Sequence, residues 1–184
     1  MTSPSLDHFL ASVERRAYRM ALLATRNSAE AMDVVQDAML KLVQYYRHQR
    51  AEEWPLLFQR ILQNRILDWH RQQTRRRRVF WWQSSASSDD EGDSAESIID
   101  STADHVDSDP ATLLDRAGDI NTVLRAMENL PVRQQQAFLL RAWEGFDVKT
   151  TAQVMACSEG SVKTHYFRAV NSLRQILEAS HEPA

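Results

Sequence analysis

This 184-residue chain contains few residues that interrupt helices, and it lacks the sequence features of secreted and membrane proteins. It has only four glycines and five prolines, it is rich in Ala, Leu, Gln, Arg and Glu, and no segment reads as a β-strand. Such a composition favours an all-α fold. The single cysteine, Cys157, excludes an internal disulfide. No apolar run approaches the ~18 residues of a membrane helix, and the N-terminus lacks the apolar core of a signal peptide. We therefore expect a cytoplasmic all-α protein with no membrane insertion.

The sequence also lacks the patterns that carry enzymatic chemistry. Its six histidines show no metal-ligand spacing with the one cysteine. It has no glycine-rich phosphate loop, and no nucleophile stands in a recognisable catalytic phrase. We expect neither catalysis, nor a metal, nor a cofactor.

Positive charge is absent from one long stretch, and this absence divides the chain. Residues 1–78 hold 14 Lys and Arg against 8 Asp and Glu, residues 79–115 hold none against 10, and residues 116–184 hold 8 against 7. The net charge of −3 hides this segregation. The pattern predicts a basic domain at 1–82, an acidic flexible linker at 83–111 and a second domain at 112–184. The Ser- and Asp-rich linker has little to bury, so we expect it to be disordered, either as a spacer or as an imitation of nucleic acid.

The segment from Ser158 to Arg174 has the pattern of a DNA-reading helix. Ser158 can cap its first turn, and one face carries an apolar stripe: Val162, Tyr166, Ala169, Val170 and Leu173. The other face carries groups suited to phosphates, base edges and thymine methyls: Lys163, Thr164, Phe167, Arg168 and Asn171. A short helix at 148–156 precedes this segment, and a tight connection joins the two helices. Together they predict a helix-turn-helix, although any amphipathic surface helix would share part of this pattern.

Three helices are predicted in the first 78 residues. The first spans 6–24, and the second begins after Asn27, which can act as its N-cap with Glu30 three positions on. The third begins near Trp54-Pro55. The second has a buried stripe of Ala31, Val34, Val35, Ala38, Leu42 and Tyr45. Its polar face carries Asp33, Gln36, Asp37 and Lys41, which is either a solvated face or a docking surface for a basic partner. The third helix runs into a basic stretch, residues 75–78, followed by aromatic residues. That combination suits unwound DNA, although Trp81 and Trp82 can equally close the core.

Four segments together resemble the extracytoplasmic-function sigma factors of bacterial RNA polymerase, a branch of the sigma-70 superfamily. They are AEAMDVVQDAMLKL from Ala29, WPLLFQRILQNRILDWHR from Trp54, LPVRQQQAFLLRAWEGF from Leu130 and the predicted helix-turn-helix. The resemblance spans nearly the whole chain. It implies a region 2 domain and a region 4 domain in a sigma factor that directs core RNA polymerase to specific promoters and assists promoter melting. The implied partners are the β′ clamp and β flap of the polymerase, promoter DNA and an anti-sigma factor.

The resemblance also implies roles for individual residues. Contacts to core polymerase fall on Asp33, Gln36, Asp37 and Lys41. Contacts to the −10 element fall on His48 and Arg50 in the turn after the second helix, and on Asn64, Arg65, Asp68, Arg71 and Arg75. Contacts to the −35 element fall on Ser161, Lys163, Thr164, Phe167 and Arg168. One position departs from the family pattern, because Thr150-Thr151 stands where the family usually has Glu-Ile.

Two other functions fit parts of the sequence. A helix-turn-helix regulator that binds DNA without being a polymerase subunit would share the C-terminal pattern, but the first 78 residues show neither a βα alternation nor space for a ligand pocket. A helical protein-interaction adaptor is the remaining alternative. DNA cross-linking with and without core polymerase separates the three.

Overall fold

In a computed structural model, the described residues are 5–84 and 120–181, and the described side chains are those of 5–76 and 123–179. Seven α-helices span this part of the chain: α1 Leu6–Thr25, α2 Ser28–Tyr46, α3 Trp54–Ser84, α4 Ile120–Glu128, α5 Val132–Phe138, α6 Val148–Met155 and α7 Glu159–His181. A 3₁₀ turn at Ala51–Glu53 precedes α3, and a π-helical turn at Leu139–Trp143 follows α5. The prediction of an all-α fold is confirmed. The predicted linker, 83–111, lies almost wholly outside the described residues.

Side chains fix where α1 and α2 begin. Ser5 Oγ accepts a hydrogen bond from the His8 N–H at 3.2 Å. Asn27 Oδ1 accepts from the N–H groups of Ala29 and Glu30 at 2.9 and 3.1 Å, as the sequence predicted. The Glu30 side chain instead accepts from Trp69 Nε1 at 2.9 Å. Glu30 therefore ties α2 to α3.

The buried stripe of α2 agrees with the prediction except at its last position. Five of its six residues are buried: Ala31, Val34, Val35, Ala38 and Leu42. Tyr45 is 72% exposed, so the prediction for it is wrong. Its neighbour Tyr46 packs against the core instead, and the Tyr46 carbonyl accepts a hydrogen bond from Trp54 Nε1 at 3.3 Å.

The helix-turn-helix is formed by α6 and α7. Asp147 Oδ1 caps α6 by accepting from the Thr150 N–H at 2.6 Å, and Ser158 Oγ caps α7 by accepting from the Ser161 N–H at 3.0 Å. Four of the five predicted inward residues of α7 are buried: Val162, Ala169, Val170 and Leu173. Between the helices Ala156 adopts a left-handed conformation with φ 51°, and its N–H bonds to the Ala152 carbonyl.

Replacing Ala156 with glycine is expected to stabilise the fold. A left-handed conformation costs an L-residue about 1–2 kcal/mol, and glycine avoids that cost but loses more entropy on folding. We expect Ala156→Gly to raise the free energy of unfolding by about 0.5–1 kcal/mol, measured by urea denaturation. Ala179→Gly, at an exposed position in the helix α7, is the control and should lower it. Destabilisation by Ala156→Gly would contradict the assignment.

The two halves of the chain share one hydrophobic core along a contact that we call the seam. Here residues 123–144 pack against α1 and α3, and buried side chains from both halves form one continuous cluster. Representative members are Met20, Leu23, Leu62, Met127 and Leu139. A second, smaller cluster lies between the helix-turn-helix and the segment before it, which supplies Ala137 and Leu140, and this cluster is contacted by Leu56 of α3. The sequence predicted the two halves but not this contact between them.

Candidate nucleic-acid and partner-binding surfaces

The polar face of α2 is an exposed surface of mixed character. Asp33 and Gln36 are exposed, as predicted, while Lys41 is half-buried. Two apolar side chains lie on the same side of the helix, Met32 at 43% exposure and Leu40 at 56%. Sequence reasoning missed both. The signal was their position outside the buried stripe, because large apolar side chains rimmed by polar groups mark interaction surfaces. We call this set, Met32, Asp33, Gln36 and Leu40, the α2 patch.

Asp37 and Arg65 form an ion pair that joins α2 to α3. Sequence reasoning gave these residues to two different surfaces, Asp37 to polymerase binding and Arg65 to the −10 element. The resemblance implied that Arg65 contacts DNA, but only 29% of its side chain is exposed. A substitution at either residue therefore changes the packing of the two helices as well as any external contact.

The turn between α2 and α3 presents His48 and Arg50 to solvent. The Arg50 guanidinium donates to Glu53 Oε1 from Nη2 at 2.9 Å and from Nε at 3.2 Å. This hydrogen bond and the charges of Glu53 and Glu52 raise the pKa of Arg50. Since Arg50 remains 81% exposed, its guanidinium is held in place yet accessible to a nucleic acid.

One face of α3 carries most of the other residues predicted to contact the −10 element. Asn64, Asp68, Arg71 and Arg75 follow one another at helical spacing and are all exposed. Arg71 Nη1 lies 3.5 Å from Asp68 Oδ1. The structure thus brings these four residues together on one stripe. The side chains of residues 77–82, including Trp81 and Trp82, lie outside those the structure describes.

The outer face of α7 presents two cations and flanking polar and aromatic groups. Lys163 and Arg168 are exposed, and Thr164, Phe167 and Asn171 are half-buried. Ser161, predicted to contact DNA, lies in the first turn, where its Oγ is 2.9 Å from Ser158 Oγ. A basic helix face with hydroxyl, aromatic and amide groups matches what DNA phosphates and base edges require.

The predicted inward residue Tyr166 is half-buried and links α7 to α5. Its ring stacks on Phe138 with centroids 6.0 Å apart, and the Arg141 guanidinium lies 5.6 Å from its centroid. Arg141 Nη1 also donates to the Phe146 carbonyl at 2.7 Å. These contacts lie on the inner side of α7 and fix its orientation, so its outer face stays exposed and is held in place.

The unusual pair Thr150-Thr151 has a structural role in α6. Thr151 is fully buried, and its Oγ1 donates to the Asp147 carbonyl at 2.8 Å. Hydrogen bonds from Thr150 to the Asp147 carboxylate lower the pKa of that carboxyl. The departure from the family pattern therefore leaves the start of α6 well capped, without the glutamate side chain that the family usually presents there.

Within the described part of the chain, no cluster of three or more His, Cys, Asp or Glu side chains could hold a metal ion. Every described helix is too short or too polar to cross a bilayer.

His70 lies in a groove of about 750 Å³ along the seam. Arg26, Glu30 and Glu128 also line the groove, and the Trp69 ring lies edge-on to the imidazole at 5.1 Å. Burial, reinforced by the positive charge of Arg26, lowers the pKa of His70. The neutral imidazole is thus the form that this environment favours.

The folded protein is expected to lose stability in mild acid because of His70. Its pKa is lower in the folded than in the unfolded chain, so its contribution is present above the unfolded pKa of about 6.5 and is lost as pH falls towards the folded value. We expect His70→Gln to flatten this part of the dependence of unfolding free energy on pH, measured by urea denaturation from about pH 7.5 to 5.5. His48→Gln, at an exposed site, should leave the slope as it is. Equal slopes for wild type and His70→Gln would contradict the expectation.

Comparison with known proteins gives matches to both halves of the chain. The family model for sigma-70 region 2 matches residues 6–76, and the model for sigma-70, region 4 matches residues 120–173. The chain is 27% identical over 180 residues to the ECF RNA polymerase sigma factor SigM of Mycobacterium tuberculosis, covering 94% of this chain and 77% of the relative. It is 40% identical over 55 residues to the ECF RNA polymerase sigma factor BldN of Streptomyces coelicolor, covering 30% of this chain and 21% of the relative.

A solved structure has a similar fold. The sigma factor RpoE of Bartonella quintana, crystallised with the anti-sigma factor NepR, aligns with a TM-score of 0.58 at 22% identity. The alignment covers 94% of this chain and 96% of that chain.

Proposed function

We propose that this chain, which belongs to the extracytoplasmic-function branch of the sigma-70 family, binds core RNA polymerase and promoter DNA through the surfaces described above. As a sigma factor, it directs core RNA polymerase to specific promoters and assists promoter melting at transcription initiation. Sigma factors are in general non-catalytic regulators. The alternatives of a free-standing helix-turn-helix regulator and of an adaptor are not favoured.

Core polymerase binds the α2 patch in this proposal. An exposed pair of apolar side chains, Met32 and Leu40, beside the carboxylate of Asp33 offers both burial and charge to a basic, partly apolar partner. The partner is the β′ clamp. Lys41 and Asp37 flank the contact, and Asp37 acts mainly by holding Arg65.

The −10 element lies along α3 and the preceding turn. Asn64, Asp68, Arg71 and Arg75 form the stripe, and His48 and Arg50 lie in the turn. Arginines neutralise phosphates, and exposed amide and imidazole groups can hydrogen-bond to bases that have left the stack. Capturing such bases offsets an unstacking cost of a few kcal/mol, which is how this half assists melting.

The −35 element lies on the outer face of α7, with Lys163, Thr164, Phe167 and Arg168 in contact and Ser161 positioning the first turn. The observation that carries the proposal is this pair of DNA-binding faces, one on each half of a single chain. When polymerase fixes the spacing of the two faces, two weak DNA contacts together give tight binding, because the second contact then forms at a high effective concentration.

We place region 2 at 1–82, the linker at 83–111 and region 4, which contacts the β flap, at 112–184.

We further propose an anti-sigma factor as a partner, supported by the fold shared with a sigma factor that was crystallised with one. We place the protein in the cytoplasm, where its polymerase and promoter DNA are found. No cofactor is required by this function.

Reconstitution tests the proposal directly. The purified chain is added to core RNA polymerase with genomic DNA fragments, and the transcript starts are mapped. We expect starts preceded by two shared sequence elements, absent when core polymerase is used alone. Starts that are the same with and without the chain would overturn the proposal.

A further inference from the structure

Asp68 is the one carboxylate in the solvent-exposed stripe on α3 that we assign to the −10 element. The other members of the stripe carry an amide or a positive charge: Asn64, Arg71 and Arg75. DNA phosphates repel a carboxylate, so an acidic side chain on this face lowers the sequence-independent affinity for DNA. Backbone binding therefore does not explain why an aspartate stands here.

The stability of the fold does not explain Asp68 either. Its partner is Arg71, whose Nη1 lies 3.5 Å from Asp68 Oδ1, and the two side chains are 50% and 62% exposed. Exposed ion pairs contribute little to stability, because water and salt screen them. Both residues also belong to α3, so their ion pair joins no two helices, unlike the pair of Asp37 with Arg65.

Together, Asp68 and Arg71 present an acceptor beside donors. An ionised carboxylate can only accept hydrogen bonds, and a guanidinium can only donate them. A separation of three positions puts both side chains on the same face of α3. Arg75, one turn further on, makes no ion pair with any residue that the structure describes and is left to contact phosphates. Arg71 is distinguished from it by the neighbouring carboxylate.

One base pair has the complementary pattern in the major groove. Cytosine presents the N4 amino donor there, and its paired guanine presents the O6 and N7 acceptors. Adenine also presents an amino group, but its N7 acceptor lies next to it and repels a carboxylate. Guanine and thymine present acceptors alone, apart from the thymine methyl. A carboxylate beside a guanidinium therefore matches a C·G pair better than any other.

The position of the ion pair along α3 suits double-stranded DNA. The N-terminal end of α3 and the turn before it carry Asn64, His48 and Arg50, to which we assign bases that have left the stack. At 1.5 Å per residue, Asp68 and Arg71 lie about 6 and 10 Å further along the helix axis than Asn64. That distance corresponds to two or three base pairs at about 3.4 Å each. The major groove of paired DNA admits an α-helix.

We propose that the Asp68–Arg71 ion pair recognises a C·G base pair in the double-stranded DNA that borders the melted part of the −10 element. The Asp68 carboxylate accepts a hydrogen bond from cytosine N4, and the Arg71 guanidinium donates to guanine O6 and N7. This inference rests on the proposed function, because it takes α3 to face the −10 element, and it names the base pair that this face selects.

Asp68→Asn should change which base is selected. An amide presents a donor and an acceptor, which match adenine N6 and N7. Promoter DNA randomised across the −10 region is selected with holoenzyme that contains wild type, Asp68→Asn or Arg71→Ala. We expect wild type to select cytosine at one position and Asp68→Asn to select adenine there, a swing of roughly tenfold or more. Arg71→Ala should lose the preference at that position.

Asp68→Ala should change two affinities in opposite directions. We expect its holoenzyme to bind the selected promoter roughly tenfold more weakly, and DNA of unrelated sequence roughly twofold more tightly at low salt, because a repelling charge is gone. Adding Arg71→Ala should remove no further discrimination, since both residues act on one base pair. Glu14→Ala, which removes an exposed carboxylate from α1, is the control and should leave both affinities unchanged. Thermal melting should be the same for all these variants, since each site is exposed.

The selection separates failure of this inference from failure of the proposed function. If wild-type holoenzyme enriches a −10 sequence and Asp68→Asn returns the same base at every position, the inference is overturned and the proposed function stands. The same holds if Asp68→Ala weakens binding to promoter and unrelated DNA by one factor, because Asp68 then only holds Arg71 against a phosphate. A wild-type selection that enriches no −10 sequence would overturn the proposed function and, with it, the inference.

Discussion

Leu40→Asp combined with Asp33→Lys is expected to raise the Kd for core RNA polymerase by roughly 150-fold or more, a loss of about 3 kcal/mol. Leu40 is 56% exposed and supplies the apolar centre of the α2 patch, and Asp33 supplies its charge. Leu40→Asp buries a carboxylate without a partner, and Asp33→Lys reverses a charge. Both changes therefore weaken the binding of core polymerase to the α2 patch. Since both residues face solvent, thermal melting should change little.

The matched control uses the same helix. Tyr45 is 72% exposed on another side of α2, so Tyr45→Asp introduces the same carboxylate outside the patch. Its affinity for core polymerase should stay near wild type, measured by fluorescence anisotropy. Asp37 is left unchanged because its ion pair with Arg65 would confound folding with binding. A Kd for the double variant within twofold of wild type, with melting unchanged, would show that the α2 patch does not bind core polymerase.

Arg168→Ala is expected to cost about 1–3 kcal/mol in promoter binding by holoenzyme and to relax preference at one position of the −35 element. A base-edge contact acts on one base pair, so the loss should depend on the sequence. Lys163→Ala provides the contrast on the same exposed face. A lost phosphate contact should weaken all promoters about equally and reduce the salt slope by about 1.

Gln175→Ala, exposed further along α7, is the control and should leave affinity and sequence preference unchanged. A promoter library selected with the Arg168→Ala holoenzyme measures the preference, and titration at several salt concentrations measures the slope. A library that returns the wild-type −35 sequence at every position would show that Arg168 is not a base contact.

Local signals in the sequence were enough to predict most helices and the helix-turn-helix. Asn27 and Ser158 cap α2 and α7 as predicted, because an N-cap depends only on residues two or three positions away. Apolar periodicity likewise identified most of the buried residues of α2 and α7. The predicted family membership is confirmed by the matches to both halves.

What the sequence did not indicate depends on contacts between distant segments. Gln135 and Gln136 read as ordinary polar residues, yet they are buried in the seam against helices more than 70 positions away. Periodicity gives the direction of a side chain on its own helix but not the partner it meets. For the same reason Asp37 and Arg65 were separated by sequence reasoning, and Met32 and Leu40 were not recognised as exposed.

Photo-crosslinking at one defined promoter shows whether a single molecule contacts both promoter elements within the polymerase complex. The crosslinking amino acid p-benzoylphenylalanine replaces Asn64 in one protein and Phe167 in another, and the crosslinked nucleotides are mapped in the holoenzyme–promoter complex. We expect crosslinks near −10 from Asn64 and near −35 from Phe167 on the same DNA, and neither crosslink without core polymerase. Crosslinks from both positions at one site, or crosslinks equally strong without polymerase, would contradict this expectation.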